Sequence, residues 1–220
     1  MNRTLPIPWK PTKAEVLGAS NKFVPDLVAK DLMVLFAGVN PSPYTAAIGH
    51  HYGHPGNRFW PALYGGGFTP RLFSPFEEAL LLDLGFGITG IVKRATARAD
   101  ELTDDELRAG GKLLEAKVKR LRPTVVAFVG IHPYRVVSGI KDAGVGLQKS
   151  LFGGCYAWVL PNPSGINAHY QPAALAKLFG ELRLWAVAHH DGPGNQFERR
   201  ALLQQPRLGA RHNNMKTALT

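Results

Sequence analysis

Three continuous runs of apolar residues alternate with helical patterns along the middle of the chain. The runs cover residues 33–39, 124–130 and 155–160. Each run is typical of a strand that is buried on both faces of a sheet. A shorter run over residues 88–92 predicts a further strand. Alternating strands and helices predict a three-layer α/β/α sandwich with a short, mostly parallel central sheet.

The helical segments carry recognisable boundary signals. Thr103 and Glu106 have the spacing of a capping box, and apolar residues keep helical spacing from there until Pro123. Shorter helices are predicted over residues 59–64 and 74–84, and a final helix over residues 172–187. We therefore expect one domain over residues 31–188, preceded by an arm of residues 1–30 and followed by a flexible basic tail of residues 189–220.

Charge is concentrated at the two ends of the chain. The net charge is +10, and residues 1–30 and 186–220 each hold five Lys/Arg against two acidic residues. Such a balance is compatible with a polyanionic partner such as DNA, since neutralising phosphates drives non-specific affinity. It is equally compatible with a solvated basic surface, so charge alone does not decide the function.

Several classes of protein are disfavoured by the sequence. No apolar run approaches the ~20 residues that a membrane span needs, and the N-terminus lacks the apolar core of a signal peptide. The single cysteine, Cys155, excludes an intramolecular disulfide, an all-cysteine metal site and an iron–sulfur cluster. We expect a cytoplasmic monomer that makes no membrane contact.

Two of the predicted strands end in similar loops. Residues 38–42 read Gly-Val-Asn-Pro-Ser, and residues 160–165 read Leu-Pro-Asn-Pro-Ser-Gly. In parallel sheets, ligands bind outside the carboxyl ends of the strands, which lie at one edge. The two loops are therefore expected to converge on one site.

These loops and a third segment carry a family resemblance. Gly38-Val39-Asn40-Pro41, then His-Pro-Gly-Asn-Arg-Phe-Trp over residues 54–60, then Asn162-Pro163-Ser164-Gly165 resemble the mismatch-specific uracil-DNA and thymine-DNA glycosylase family. The likeness extends over about residues 24–185. It implies a uracil-DNA glycosylase-like fold and a monofunctional DNA glycosylase of base excision repair, which needs no metal or organic cofactor.

The implied substrate is duplex DNA with uracil mispaired with guanine, and G·T mismatches or ethenocytosine are further candidates. Cleavage requires a flipped nucleotide, a water directed at C1′ and stabilisation of the departing base. Asn40 matches the residue with which this family orients the water. An amide is a poor base, so turnover should be slow. The alternative role for Asn40 is to cap the turn before Pro41.

The resemblance also implies residues that bind the base. Tyr52 matches the aromatic residue that stacks on the extruded base, and its alternative role is that of a partly buried core tyrosine. Main-chain groups of Gly38 and Val39 would read the polar edge of the base. Thr45 would lie near C5 of the pyrimidine and influence whether a 5-methyl group fits.

The second loop is implied to contact the DNA through Asn162, Ser164 and Gly165. Ile166 matches an apolar wedge that fills the gap left by the flipped base. Its alternative role is to pack on the core. Gly165 would allow close approach to the widowed guanine. The family often has an arginine soon after the wedge, whereas residues 167–169 here are Asn-Ala-His, so that contact is not carried over.

Other polar residues have two interpretations each. His50, His51 and His54 could form a metal site, but no carboxylate is near in sequence and His54 belongs to the motif. Asp83 could be a remote base or a solvated turn cap.

The basic residues of the next segment are Lys93, Arg94 and Arg98, which could contact phosphates or be solvated. Asn57 and Arg58 are expected to tie the pocket segment to the core.

Two rival functions stay open from the sequence. A non-catalytic DNA-lesion-binding module could use the same basic surface and wedge. A nucleotide-binding enzyme of small-molecule metabolism could share the sheet, but it should carry a glycine-rich phosphate loop after its first strand, which residues 38–42 are not. No lysine or N-terminal proline nucleophile is indicated, so strand cleavage is not expected.

Overall fold

The computed structural model of the protein describes residues 6–20, 22–165 and 169–190. Its strands are β1 (Val34–Gly38), β2 (Phe86–Gly90), β3 (Val125–Val129), β4 (Gly146–Leu147) and β5 (Tyr156–Leu160). Its α-helices are α1 (Lys13–Leu17), α2 (Pro43–Ile48), α3 (Phe59–Gly65), α4 (Leu80–Asp83), α5 (Asp104–Leu121), α6 (Ile131–Ser138) and α7 (Pro172–His189). Two 3-10 helices cover Pro75–Glu77 and Ala99–Glu101.

The strands form one sheet in the order β2-β1-β3-β5-β4. The first four are parallel, and β4 is antiparallel to β5 at the edge. All five residues of β1 and of β3 are buried, because helices cover both faces of the sheet. The prediction of a mostly parallel sheet is confirmed.

Side chains alternate between two cores along each central strand. Val34 and Phe36 of β1 pack into the core that α3 and α7 cover, whereas Leu35 and Ala37 point into the core beneath α5 and α6. This alternation follows from the two-residue period of a strand. The three-layer α/β/α sandwich expected from the sequence is confirmed.

The predicted helix after Thr103 is also confirmed. Thr103 accepts a hydrogen bond from the Glu106 N–H at 3.2 Å, and Glu106 accepts one from the Thr103 N–H at 2.9 Å. The two bonds satisfy donors that the first turn of a helix leaves without partners. Helix α5 begins at Asp104 as a result.

The strand predicted over residues 88–92 is shifted by two residues in the structure, where β2 begins at Phe86 and ends at Gly90. Gly87 interrupts the apolar pattern but lies inside the strand. A Cβ there would come within 2.7 Å of the Leu27 carbonyl oxygen, so the strand needs a glycine where the N-terminal segment crosses it. Helices α1, α2 and α6 and strand β4 were not predicted, and the single helix predicted over residues 74–84 is divided into the 3-10 helix Pro75–Glu77 and α4.

The predicted arm contacts the domain through a bridge from Leu27 to Ile88, which carries hydrogen bonds of 2.8 Å in both directions. Residues 191–220 of the predicted tail lie outside the described residues. Within the described part of the chain, no helix is long and apolar enough to span a membrane.

Candidate active site

A cavity of about 440 Å³ opens at the carboxyl edge of the sheet. Its walls come from the loop after β1, from residues 51–57, from the segment that follows β2, and from the loop after β5. The two Asn-Pro loops therefore lie at one site, as their places in the sequence predicted. Asn40, Tyr52 and Asn162 all border the cavity.

The Asn40 amide is held in one orientation. Its Nδ2 donates to the Arg94 carbonyl oxygen at 2.9 Å and to Thr96 Oγ1 at 2.7 Å. A carbonyl oxygen can only accept, so the atom that faces it must be the amide nitrogen. Both amide hydrogens are used, and Oδ1 has no hydrogen-bond partner among the described residues. Asn40 thus presents an acceptor at the wall of the cavity.

The partners of Asn40 are themselves fixed. Thr96 Oγ1 donates to the Arg98 carbonyl oxygen at 2.6 Å, so this hydroxyl must accept from Asn40. The Arg94 guanidinium is bound by both oxygens of the Glu106 carboxylate at 2.8 and 3.1 Å. Arg94 lowers the pKa of Glu106 to about 2, and this carboxylate belongs to the capping box of α5. The amide is therefore anchored through Arg94 to the start of a helix.

Tyr52 is stacked and backed by a second ring. The rings of Tyr52 and Phe59 are 3.8 Å apart between centroids, at an interplanar angle of 13°. The Tyr52 backbone has a φ of +52°, which is unusual for a non-glycine residue. Burial raises the pKa of the Tyr52 phenol, whose oxygen is buried without a hydrogen-bond partner in the described structure. Tyr52 also borders the cavity, where a flat apolar surface suits a base.

Gly38 is required by the position of Tyr52. A Cβ on Gly38 would lie 2.7 Å from Tyr52 Oη, so any side chain would displace the ring. The main-chain oxygens of Gly38 and Val39 accept from the N–H groups of Ile91 and Val92, both at 2.9 Å. Each carbonyl oxygen keeps one lone pair with which it could read a base.

Thr45 is a buried part of the cavity wall. Its Oγ1 accepts from the Gly53 N–H at 3.1 Å and from Ser42 Oγ at 3.1 Å. The hydroxyl thereby joins the start of helix α2 to the residue that follows Tyr52. Thr45 borders the cavity, but its effect on a 5-methyl group stays a prediction.

The second loop is shaped by its own turn and by Arg58. Asn162 Oδ1 accepts from the Ser164 N–H at 2.9 Å, which is the bond of an Asx-turn. The Arg58 N–H donates to the Pro163 oxygen at 2.9 Å, and its guanidinium donates to the oxygens of Gly165 and Tyr170 at 3.2 and 2.9 Å. Arg58 therefore joins the segment of residues 54–60 to the second loop, in agreement with the expectation that it ties the pocket segment down.

The structure gives a steric reason for the glycine at residue 165, which the sequence alone did not reveal. A Cβ there would overlap the Gly56 carbonyl oxygen, so a glycine is needed where the two loops touch. Ser164 and Gly165 border the cavity beside Asn162. Ile166, the predicted wedge, lies outside the described residues.

Among the residues that the structure describes, His50, His51 and His54 belong to no group of His, Cys, Asp or Glu side chains that could hold a metal ion. His50 and His51 both direct Nδ1 to the carboxylate of Glu78, at 2.8 Å each. His54 accepts from the Gly56 N–H at 3.1 Å, within its own turn. Glu78 follows His50 by 28 residues, so the carboxylate that was missing near these histidines in sequence is supplied by the fold.

Asp83 and the three basic residues of the next segment differ in their position relative to the cavity. Asp83 is exposed at the end of α4 and does not border the cavity, so the structure gives no support to the remote base that was considered. Lys93 and Arg98 border the cavity and Arg94 does not. The Arg94 side chain is engaged by Glu106, and that of Arg98 by Asp100 in an exposed ion pair. Lys93 and Arg98 are thus the better placed of the three to meet a phosphate.

Asp26 also borders the cavity and was not singled out from the sequence. Its carboxylate accepts from Thr89 Oγ1 at 2.8 Å and from Lys117 Nζ at 2.5 Å. Burial alone would raise the pKa of Asp26, but the bonds from Lys117 and Thr89 outweigh it, and the pKa lies below its ordinary value. No sequence signal pointed to this pair, because Lys117 follows Asp26 by 91 residues.

The comparison with known families agrees with this site. The family model described as the Uracil DNA glycosylase superfamily matches residues 25–183, a span that contains every described wall of the cavity except Val24. The superfamily implies a DNA glycosylase of base excision repair, a hydrolase that acts on DNA. From the match over most of its length, the chain belongs to the Uracil DNA glycosylase superfamily.

Proposed function

We propose that the protein is a monofunctional glycosylase of the mismatch-specific type, which excises uracil paired with guanine in duplex DNA. The observation that carries the proposal is the Asn40 amide at the wall of the cavity. Its two hydrogens are bonded to Arg94 and Thr96, and its oxygen has no partner among the described residues. An acceptor held in this way can orient a water by taking one of its hydrogen bonds.

In the proposed reaction, a water held by Asn40 Oδ1 attacks C1′ of the flipped nucleotide. The bond between C1′ and the base nitrogen breaks, and the base departs with the bonding electrons. The water keeps its oxygen on C1′ and releases a proton to solvent, and the departing base anion takes up a proton, so the products are an abasic site and the free base. An amide cannot hold that proton firmly, which makes this step slow.

The base would lie against Tyr52, on the ring face that Phe59 does not cover. Gly38, Val39 and Thr45 would surround its edges from the first loop. Stacking contributes about 1–3 kcal/mol per base and tolerates different bases, so it favours a range of pyrimidine lesions over uracil alone. G·T mismatches and ethenocytosine belong to the proposed range for this reason.

The second loop would act on the DNA. Asn162, Ser164 and Gly165 would lie against the strand, and Ile166 would enter the stack. Lys93 and Arg98 would meet phosphates at the rim of the cavity. If they do, the logarithm of non-specific duplex affinity should fall linearly with the logarithm of salt concentration, by roughly 0.9 per phosphate neutralised.

The test is base release by the purified protein from a panel of DNAs. The panel holds uracil, thymine and ethenocytosine opposite guanine, uracil opposite adenine, and uracil in a single strand. Both the free base and the abasic site are measured, with Asn40→Ala purified in parallel as a control for contaminating glycosylases. Release of uracil from the G·U duplex is expected. Binding to that duplex without release of any base would instead identify a lesion-binding module.

A further inference from the structure

Glu78 makes three contacts with the segment that carries Tyr52. Its Oε1 bonds His50 Nδ1 at 2.8 Å, and its Oε2 bonds both His51 Nδ1 at 2.8 Å and the His51 N–H at 2.9 Å. The Glu78 side chain is 12% exposed. Burial alone would raise its pKa, but the bonds from His50 and His51 outweigh it, and the pKa of Glu78 lies below its ordinary value. An ionised carboxylate only accepts, so both histidines must donate through Nδ1.

These contacts fix the two residues that precede an unfavourable turn. Tyr52 has its backbone in the left-handed region, which a side chain with a Cβ disfavours. On the other side of the turn, the Gly53 N–H donates to Thr45 Oγ1 at 3.1 Å. The His51 carbonyl oxygen also accepts from Trp60 Nε1 at 3.2 Å. Tyr52 is therefore held in a strained conformation by anchors on both sides.

We propose that Glu78 is a positioning residue for base excision, which acts through His50 and His51 to keep the left-handed turn at Tyr52 formed before DNA binds. Glu78 does not border the cavity, so it has no direct contact with a base there. The inference rests on the proposed stacking role of Tyr52. Without the carboxylate, the turn relaxes toward ordinary backbone angles, and the ring leaves its place between Phe59 and the cavity.

The chain offers a matched control beside Glu78. Glu77 is the last residue of the 3-10 helix that Glu78 directly follows, and it bonds Arg71 and the Ser74 N–H. In the described structure it makes no hydrogen bond to residues 50–53. Glu77→Ala therefore weakens the same helix and leaves the turn alone. Glu78→Gln is the conservative variant, because its amide oxygen can still accept from His51 while its NH2 group donates to the other tautomer of His50.

The first measurement is hydrogen exchange of the free protein, which needs no activity. Glu78→Ala should speed exchange of the His51 and Gly53 amides by roughly tenfold or more, with β3 amides unchanged. The reason is that local opening of the turn no longer has to break the hydrogen bonds of Glu78 to His50 and His51. Glu78→Gln and Glu77→Ala should stay near the wild type. Unchanged exchange at residues 51–53 in Glu78→Ala overturns the proposal, whatever the activity of the protein.

The second measurement is a double-mutant cycle between Glu78→Ala and Tyr52→Ala, read as the maximal single-turnover rate on a G·U duplex. Glu78→Ala should lower this rate about tenfold in the wild-type background and less than about twofold when Tyr52 is already alanine. Equal losses in both backgrounds overturn the proposal, because Glu78 would then act by another route. Absence of base release by the wild type would refute the proposed function instead, and the exchange result would still decide whether Glu78 holds the turn at Tyr52.

Discussion

Asn40 and Asn162 each precede a proline at the carboxyl end of a parallel strand, yet their amides are bonded in opposite ways. Asn40 uses its two hydrogens on groups 54 and 56 residues away in the chain, and its oxygen accepts from none of the residues that the structure describes. Asn162 uses its oxygen on the N–H of Ser164, two residues away. The same dipeptide therefore makes a fixed acceptor in one loop and a turn in the other.

Because of this difference, we assign the two loops different roles in base excision. A fixed acceptor is what a positioned water needs, so the first loop is suited to the chemical step. Arg58 holds the second loop at Pro163, Gly165 and Tyr170, and in the proposed function this loop contacts the DNA. The second loop is therefore suited to extruding the nucleotide. Variants in each loop should fail in different ways.

The largest effect is expected from the comparison of the asparagines themselves. Asn40→Ala should lower the single-turnover rate on a G·U duplex by roughly 10²–10³-fold, the loss usual for a group that acts in the transition state. Asn162→Ala should lose much less, because a turn can form without its side-chain bond. Duplex affinity of both variants, measured by fluorescence anisotropy, checks that binding is kept. Equal losses would remove the distinction between the loops.

Arg58→Lys tests the anchoring of the second loop with the charge retained. Arg58 uses one guanidinium nitrogen for the Tyr170 oxygen and another for the Gly165 oxygen, and a lysine has a single nitrogen in their place, so at least one of the two bonds is lengthened or lost. We expect the rate on a G·U duplex to fall about tenfold, the equivalent of a charged hydrogen bond. The control is Arg71→Lys at an exposed ion pair. A loss of the same size with uracil opposite an abasic site would argue against a role in extrusion.

Thr96→Val tests the hold on the Asn40 amide. Valine keeps the shape of threonine but cannot accept from Nδ2, so one of two bonds that orient the amide is lost. The maximal rate should fall about fivefold, with little change in duplex affinity, as expected for one hydrogen bond of about 1 kcal/mol. Rapid-quench measurement at saturating enzyme separates the two quantities. A change in affinity alone would place Thr96 outside the chemical step.

The smallest effect concerns the Tyr52 hydroxyl. It is buried without a partner in the described structure, and such a group costs about 1–3 kcal/mol. Tyr52→Phe should keep the stacked ring and leave excision near the wild-type rate. The free energy of unfolding should rise by about 1 kcal/mol, measured by urea denaturation. A destabilised Tyr52→Phe protein would mean that the hydroxyl has a bonding role.

The sequence predicted the elements that have strong local signals. Strands β1, β3 and β5 are continuous apolar runs, and α5 begins at a capping box. Strand β4 has only two residues and no period, and the glycine in β2 obscured its start. Helix α2 begins with Ser42 as its cap and Pro43 as its first residue, a signal that sequence analysis could have used.

For the site, the sequence predicted which residues meet but not what holds them. The motifs placed Asn40, Tyr52 and Asn162 at one edge of the sheet. Glu78 and Asp26 have no motif, and their partners lie between 27 and 91 residues away, so only the fold reveals them. The orientation of the Asn40 amide likewise depends on the path of the chain after β2.

The division of labour between the residues that hold the base and the second loop is tested most directly by one experiment with one variant from each. Single-turnover excision is measured for Tyr52→Ala and Ile166→Ala on uracil opposite guanine and on uracil opposite an abasic site, where less stacking must be broken. Tyr52→Ala should lose a similar factor on both DNAs, because stacking in the cavity follows extrusion. Ile166→Ala should lose most on the G·U duplex and little opposite the abasic site. Equal losses of Ile166→Ala on the two DNAs would contradict the account.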